Sequence, residues 1–270
     1  MLVRFYAFGA PSWWPFQLVS LTGQRLPPQQ RPNFYYILVD NGMFKFYRDG
    51  ERPSLDRWLH RLLVFVKDVE RLRKPNEIWV VLPDWLGDFD FTLSAAMHPL
   101  AKRICKDYCC LVVAHAEHRF FSAEEGAYAY VAGIMASLDH IYGIAAPLKL
   151  SCLRYDPRGR RHVVDSRGLA CQVEILRQVC KVARKHGLVC HGLGIVLKLD
   201  HVRRCIGLGP NSFDSTGWTR ASKRFLDEAR ARMGRVSATS TSERELFFKY
   251  ILNRLRGLID EVQVDIQKLS

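Results

Sequence analysis

The chain has 270 residues, 48% of them hydrophobic and 25% charged, a balance that supplies material for a core and excludes disorder along the whole chain. No uninterrupted apolar stretch reaches the ~18 residues that a membrane-spanning helix needs. Forty Lys and Arg against 27 Asp and Glu leave a net charge of +13, which favours polyanions, nucleic acid first, although basic proteins without such a partner also exist.

In chain order, the first 15 residues are apolar but broken by Arg4, Gly9, Pro11 and Ser12. They lack the basic-then-apolar order of a secretory signal, so a cytoplasmic location is expected. Residues 3–8 can supply a strand, and residues 34–39 form the first clear strand-like run. Ser54 caps a helix reaching about residue 73, with Leu55, Leu59, Leu62 and Val66 along one face. A strand at 78–82 is followed by a helix over 91–105. The same order repeats with a strand at 110–114 and a helix at 123–138. Next come a strand at 140–144 and a helix over 168–186, which stops at Lys185-His186-Gly187. A strand at 188–193, another around Phe213 and a last helix over about 243–268 complete the order. Residues 26–32, the basic stretch 156–162 and the Ser/Thr-rich stretch 234–242 read as loops.

Strand then helix, repeated, predicts a parallel sheet covered by helices. At this length a closed (β/α)8 barrel with a C-terminal helix fits, with residues 1–270 as a single domain. An open doubly wound sheet is the competing arrangement, but the first βα turn carries no Gly-x-Gly-x-x-Gly. The eight cysteines show no Cys-x2-Cys spacing, so a local zinc or iron–sulfur site is not expected. Whether any of them pair as disulfides stays open.

A barrel places its active site at the C-terminal ends of its strands. There Asp40 follows Tyr35-Tyr36-Ile37-Leu38-Val39, and Asp84 follows Trp79-Val80-Val81-Leu82-Pro83. His115 follows the next run, His191-Gly192-Leu193-Gly194 ends another, and Ser212-Phe213-Asp214-Ser215 comes last. Three carboxylates converging on one mouth suit nucleophilic and acid–base chemistry at a sugar carbon. Each residue also has a plainer reading. Asn41-Gly42 between apolar runs fits a hairpin turn, Asp84 a turn after Pro83, and Asp214 a helix cap. His115 and His118 fit packing or surface roles.

Taken together, these segments resemble the tRNA-guanine transglycosylases. Asp40-Asn41-Gly42-Met43-Phe44 is similar to that family's Asp-Ser-Gly-Gly-Phe/Tyr motif, and Leu82-Pro83-Asp84 stands where its base-recognition aspartate lies. Tyr142-Gly143-Ile144-Ala145 resembles its glycine-bearing strand end, and His191-Gly192-Leu193-Gly194 its Gly-x-Gly. The segment 212–220 is similar to the one holding its nucleophile. The order agrees over about residues 34–220. No Cys-x-Cys-x2-Cys…His site follows Asp214, and Met43 replaces a glycine, so the chain resembles most the compact branch that inserts 7-deazaguanines into DNA.

The resemblance implies that Asp214 attacks the sugar and that Asp40 serves as general acid and base. Asp84 would read the base, and Gly143, Gly192 and Gly194 would line its pocket. Arg158, Arg160, Arg161, Arg203, Arg204 and Arg220 are expected around the mouth as phosphate contacts. The expected partners are DNA or tRNA and a 7-deazaguanine base, with a homodimer or a protein partner possible and no membrane. No metal or redox cofactor is required. The alternatives are a catalytically silent binding subunit and a metal-dependent barrel hydrolase using Asp84, His115 and His118.

Overall fold

Eight short strands lie side by side, all parallel, and the last pairs with the first to close a barrel. The computed structural model describes residues 3–8, 10, 14–22, 36–116, 126–147, 152, 154–156, 161–163, 166–195, 199–215, 240–257 and 259. The barrel runs through β1 (Arg4–Phe8), β2 (Phe16–Ser20), β3 (Tyr36–Asp40), β4 (Ile78–Val81), β5 (Cys109–Val113) and β6 (Gly143–Ala146). A small antiparallel pair, β7 (Arg154–Asp156) and β8 (Arg161–Val163), stands outside it. The circle then closes through β9 (Val189–Gly192) and β10 (Ser212–Ser215) back to β1. The expected (β/α) barrel is therefore the architecture found.

Among the described residues the α-helices are α1 (Met43–Asp49), α2 (Leu55–Glu70), α3 (Phe89–Met97), α4 (Pro99–Asp107), α5 (Ala127–Ala136), α6 (Ser166–Lys185), α7 (Leu199–Ile206) and α8 (Ser240–Arg254). Among the described residues no helix is long and apolar enough to cross a membrane.

Strand alternation sorts the side chains into two layers. Tyr6 packs within 6.1 Å of the rings of Phe16, Trp79 and His191, residues from three other strands, so it fills the barrel interior. Its neighbour Phe5 faces outward, stacked on Phe213 and on Phe248 of α8. At the end where the strands begin, the Arg4 guanidinium lies 3.9 Å over the Tyr36 ring and 5.4 Å from that of Trp79. A cation–π contact of this kind lets a charge sit among aromatic groups. The opposite end of the barrel holds the carboxylates.

Four local features differ from the sequence reading, each for a physical reason. β2 was not anticipated, because Gln17 interrupts its apolar run; the buried Gln17 amide donates to the Trp14 carbonyl at 2.7 Å. The helix expected over 91–105 is two helices, α3 and α4. Pro99 lacks the N–H needed in a helix interior and starts a new helix instead, capped by the His98 ring, which accepts the Leu100 N–H at 3.2 Å. The basic loop at 156–162 includes parts of β7 and β8. Asn41-Gly42 is not a hairpin turn, since β3 and β4 are parallel and need a crossover. Gly42 adopts φ 74° and leads into α1.

Two disulfides answer the open cysteine question. Cys152 pairs with Cys171 of α6, and Cys180 of the same helix pairs with Cys190 of β9. Among the described residues Cys105, Cys109, Cys110 and Cys205 stay free. The outer helix α6 is thus tied covalently to the barrel strand that carries His191.

Candidate active site

The mouth is built from the last residues of β2, β3, β9 and β10 and the turns after β4 and β5. Asp40 ends β3 directly beside Ser20, the last residue of β2. Pairing therefore brings the Ser20 hydroxyl to the carboxylate, and the Gly42 backbone N–H supplies a second hydrogen bond. Burial, then the charges of Asp214 and Asp84, raise the Asp40 pKa to about 6, and these two hydrogen bonds only partly oppose the rise. The carboxyl group is thus poised to change protonation near neutral pH. Gly42 is required by its φ of 74° and by space, because a Cβ there would sit 2.6 Å from Thr22 Oγ1.

Asp84 is held on both oxygens. Asn41, buried next to Asp40, donates its amide to Asp84 Oδ1 and to the Leu82 carbonyl, both at 2.7 Å. Its own Oδ1 accepts the Met43 N–H at 2.8 Å, and its backbone carbonyl accepts from the Trp58 indole at 3.0 Å. Asn41 thereby fastens the end of β3 to the end of β4. The second oxygen, Asp84 Oδ2, lies 2.6 Å from Nε2 of His115, which is 1% exposed. Nδ1 of that ring is buried with no partner. A carboxylate oxygen only accepts, so Nε2 is the donor in this contact.

Among the described residues Asp214 is held on one oxygen only. Its Oδ1 accepts the Gly194 N–H at 3.0 Å and lies 3.2 Å from Nε2 of the fully buried His191. Gly194, at φ 70°, lies in the turn after β9 and aims its N–H at the end of the neighbouring strand β10. On its other side His191 meets Ser212 Oγ at 2.8 Å. The Asp84 and Asp214 side chains are 13% and 11% exposed, so both reach solvent at the mouth.

The structure brings together Asp40, Asp84, Asp214 and Gly194, with Gly192 buried at the end of β9. It places two groups of expected site residues elsewhere. Gly143 opens β6 instead of ending it, at the far end of that strand from the mouth. A Cβ there would come within 2.6 Å of the Val189 carbonyl and 2.9 Å of the Leu111 side chain, so the glycine permits close strand packing. Arg203 and Arg204 lie in the last turn of α7. That helix starts at the mouth and returns to the start of β10, so both arginines sit at the opposite end of the barrel. Arg161 opens β8. Arg158, Arg160, Arg220 and His118 lie outside the described residues.

Asn41, Ser20 and Ser212 were not anticipated as site residues. Asn41 had a signal, since a polar residue next to a strand-terminal aspartate must point somewhere at the mouth. Ser20 and Ser212 had none without the strand register. Among the described residues no group of three or more His, Cys, Asp or Glu side chains is arranged to hold a metal ion.

No family model matches the chain, and no curated protein matches it. Solved structures similar to it include the citrate synthase SbnG, 10% identical, with 86% of this chain and 92% of that one covered and a TM-score of 0.43. The flavin-binding domain of baker's yeast flavocytochrome b2 is 12% identical over 88% of this chain and 55% of that one, with a TM-score of 0.41. Thiamine phosphate pyrophosphorylase from Pyrococcus furiosus is 12% identical over 94% and 97%, with a TM-score of 0.32.

Proposed function

We propose that the protein is a base-exchange transglycosylase that replaces guanine in a nucleic acid, DNA ahead of tRNA, with a 7-deazaguanine. One observation carries the reading: three aspartates at one barrel mouth stand in three different states of hydrogen bonding. Distinct environments assign distinct roles to like groups.

In this reading the target nucleotide leaves its stack and enters the mouth. A lone pair of Asp214 forms a bond to the sugar C1′ as the C1′–N9 bond breaks, and that electron pair goes to N9. The fraction of Asp40 that its raised pKa keeps protonated gives its proton to the departing guanine. The incoming deazapurine then gives its N9 proton to the Asp40 carboxylate and attacks C1′, returning the ester's electron pair to Asp214. Two displacements retain the sugar configuration. Asp84 does not meet the base with a free carboxylate, since Asn41 and His115 already occupy one site on each oxygen. Each carboxylate oxygen has a second lone pair, and these remain to accept N–H groups of the base.

The test is incubation of the protein with labelled guanine or 7-deazaguanine and either duplex DNA or tRNA, beside Asp214→Asn. Incorporation into one polymer that the variant abolishes supports the reading. Absence of exchange into either polymer, from folded wild-type protein, overturns it.

A further inference from the structure

The pair His191–Asp214 contains more information than the identity of the nucleophile. Nε2 of His191 lies 3.2 Å from Asp214 Oδ1, and Nδ1 lies 2.8 Å from Ser212 Oγ. A carboxylate oxygen only accepts, so Nε2 must carry a proton for this contact to be favourable. The Ser212 hydroxyl can donate to Nδ1. The serine thus completes the tautomer that the carboxylate requires, in which the histidine donates to the aspartate. The ring is also fixed mechanically, fully buried and packed edge-on against Tyr6 at 6.1 Å. Gly194 donates a second N–H to the same oxygen. Among the described residues Oδ2 has no partner.

We propose that His191 is a positioning residue that, oriented by Ser212, anchors Asp214 Oδ1 and leaves Oδ2 as the single oxygen presented to the sugar. The proposal rests on the base-exchange reading for its chemical consequence, though the hydrogen-bond arrangement stands apart from it. In the first step the Oδ2 lone pair forms the bond to C1′ and N9 takes the pair of the broken bond. Oδ1 becomes the ester carbonyl and keeps both N–H donors. In the second step the C1′–Oδ2 pair returns to the carboxylate, whose charge spreads back onto Oδ1. Two fixed donors there stabilise the departing carboxylate more than the ester, so they favour resolution of the intermediate.

Three variants and one spectrum test this. His191→Ala should lose about 10²-fold or more in turnover and accumulate the covalent sugar adduct, because resolution slows more than formation. His191→Gln retains an N–H donor near the Nε2 position and should recover to within about tenfold of wild type. Ser212→Ala removes the partner of Nδ1 and loosens the ring, and should show a smaller loss of the same kind, which keeps the test alive if His191→Ala fails to fold. In ¹⁵N-histidine NMR of the wild type, the resonance missing from His191→Gln should report a proton on Nε2. A ring protonated at Nδ1 alone overturns the proposal whatever the activity. So does a folded His191→Ala or Ser212→Ala with wild-type turnover and no added adduct. If the wild type exchanges no base, the reaction falls and the NMR tautomer alone decides the positioning.

Discussion

Two histidine–aspartate pairs stand at the same mouth and are built differently. At His115–Asp84 both carboxylate oxygens are engaged, one by the ring and one by Asn41. At His191–Asp214 both donors fall on one oxygen, and among the described residues the other has no partner. A carboxylate tied at both ends suits a fixed polar wall. One anchored at a single oxygen offers the other for bond formation. Asp40 stands electrostatically between them, and their two charges add to its burial in raising its pKa to about 6.

The largest expected difference between the pairs lies in removal of the carboxylates. In the proposed reaction Asp214→Asn should reduce base exchange by about 10⁴-fold or more, since the attacking group is gone. Asp84→Asn should act mainly on the base, raising KM and weakening discrimination between purines, with kcat reduced less. Steady-state kinetics with both polymers check this ordering. Equal losses in kcat from the two variants would break the comparison.

Asp40→Asn should lower exchange by about 10²- to 10⁴-fold, and it should remove the fall in guanine release expected of the wild type as pH rises through about 6. The same group affects stability with a definite sign. The folded protein binds the Asp40 proton more tightly than the unfolded chain does, with pKa values of about 6 and 3.8. Its contribution to stability is therefore fully present below about pH 4 and is lost as pH rises through 6. Asp40→Asn should flatten that fall and stabilise the protein at pH 7, by on the order of 2 kcal/mol. Thermal melts of both proteins at pH 4 and pH 7 measure the difference.

A smaller effect, about 1 to 3 kcal/mol, is expected from Gly42→Ala, which meets a positive φ and the Thr22 side chain at once. Denaturant unfolding reads the loss, and the displaced Gly42 N–H should lower exchange too. Reduction of Cys180–Cys190 should cost about 2 kcal/mol. It should affect the His191 side of the mouth before the His115 side, because the bond ties α6 to β9.

These pairs also mark how far the sequence carries. Strand-terminal polar residues were legible because apolar runs end abruptly at Asp40, Asp84, His115 and Asp214, and barrel topology then gathers those ends. Contacts across strands were not legible. Ser20 reaches Asp40, and His191 reaches Ser212, only through a register that depends on all the strands, including β2, whose Gln17 hid it. A shift of three residues in the start of β6 moved Gly143 from the expected mouth to the far end. Arg203 and Arg204 were misplaced for a related reason: a charge run shows that a helix is basic, not which end of the barrel its last turn occupies.

The most direct test of the central claim is to trap the sugar–protein adduct by acid quench during exchange and map it by peptide mass spectrometry. The account predicts one modified site, Asp214, with Asp84 and Asp40 unmodified. An adduct on Asp84 or Asp40, or exchange that proceeds undiminished in Asp214→Asn, would contradict it.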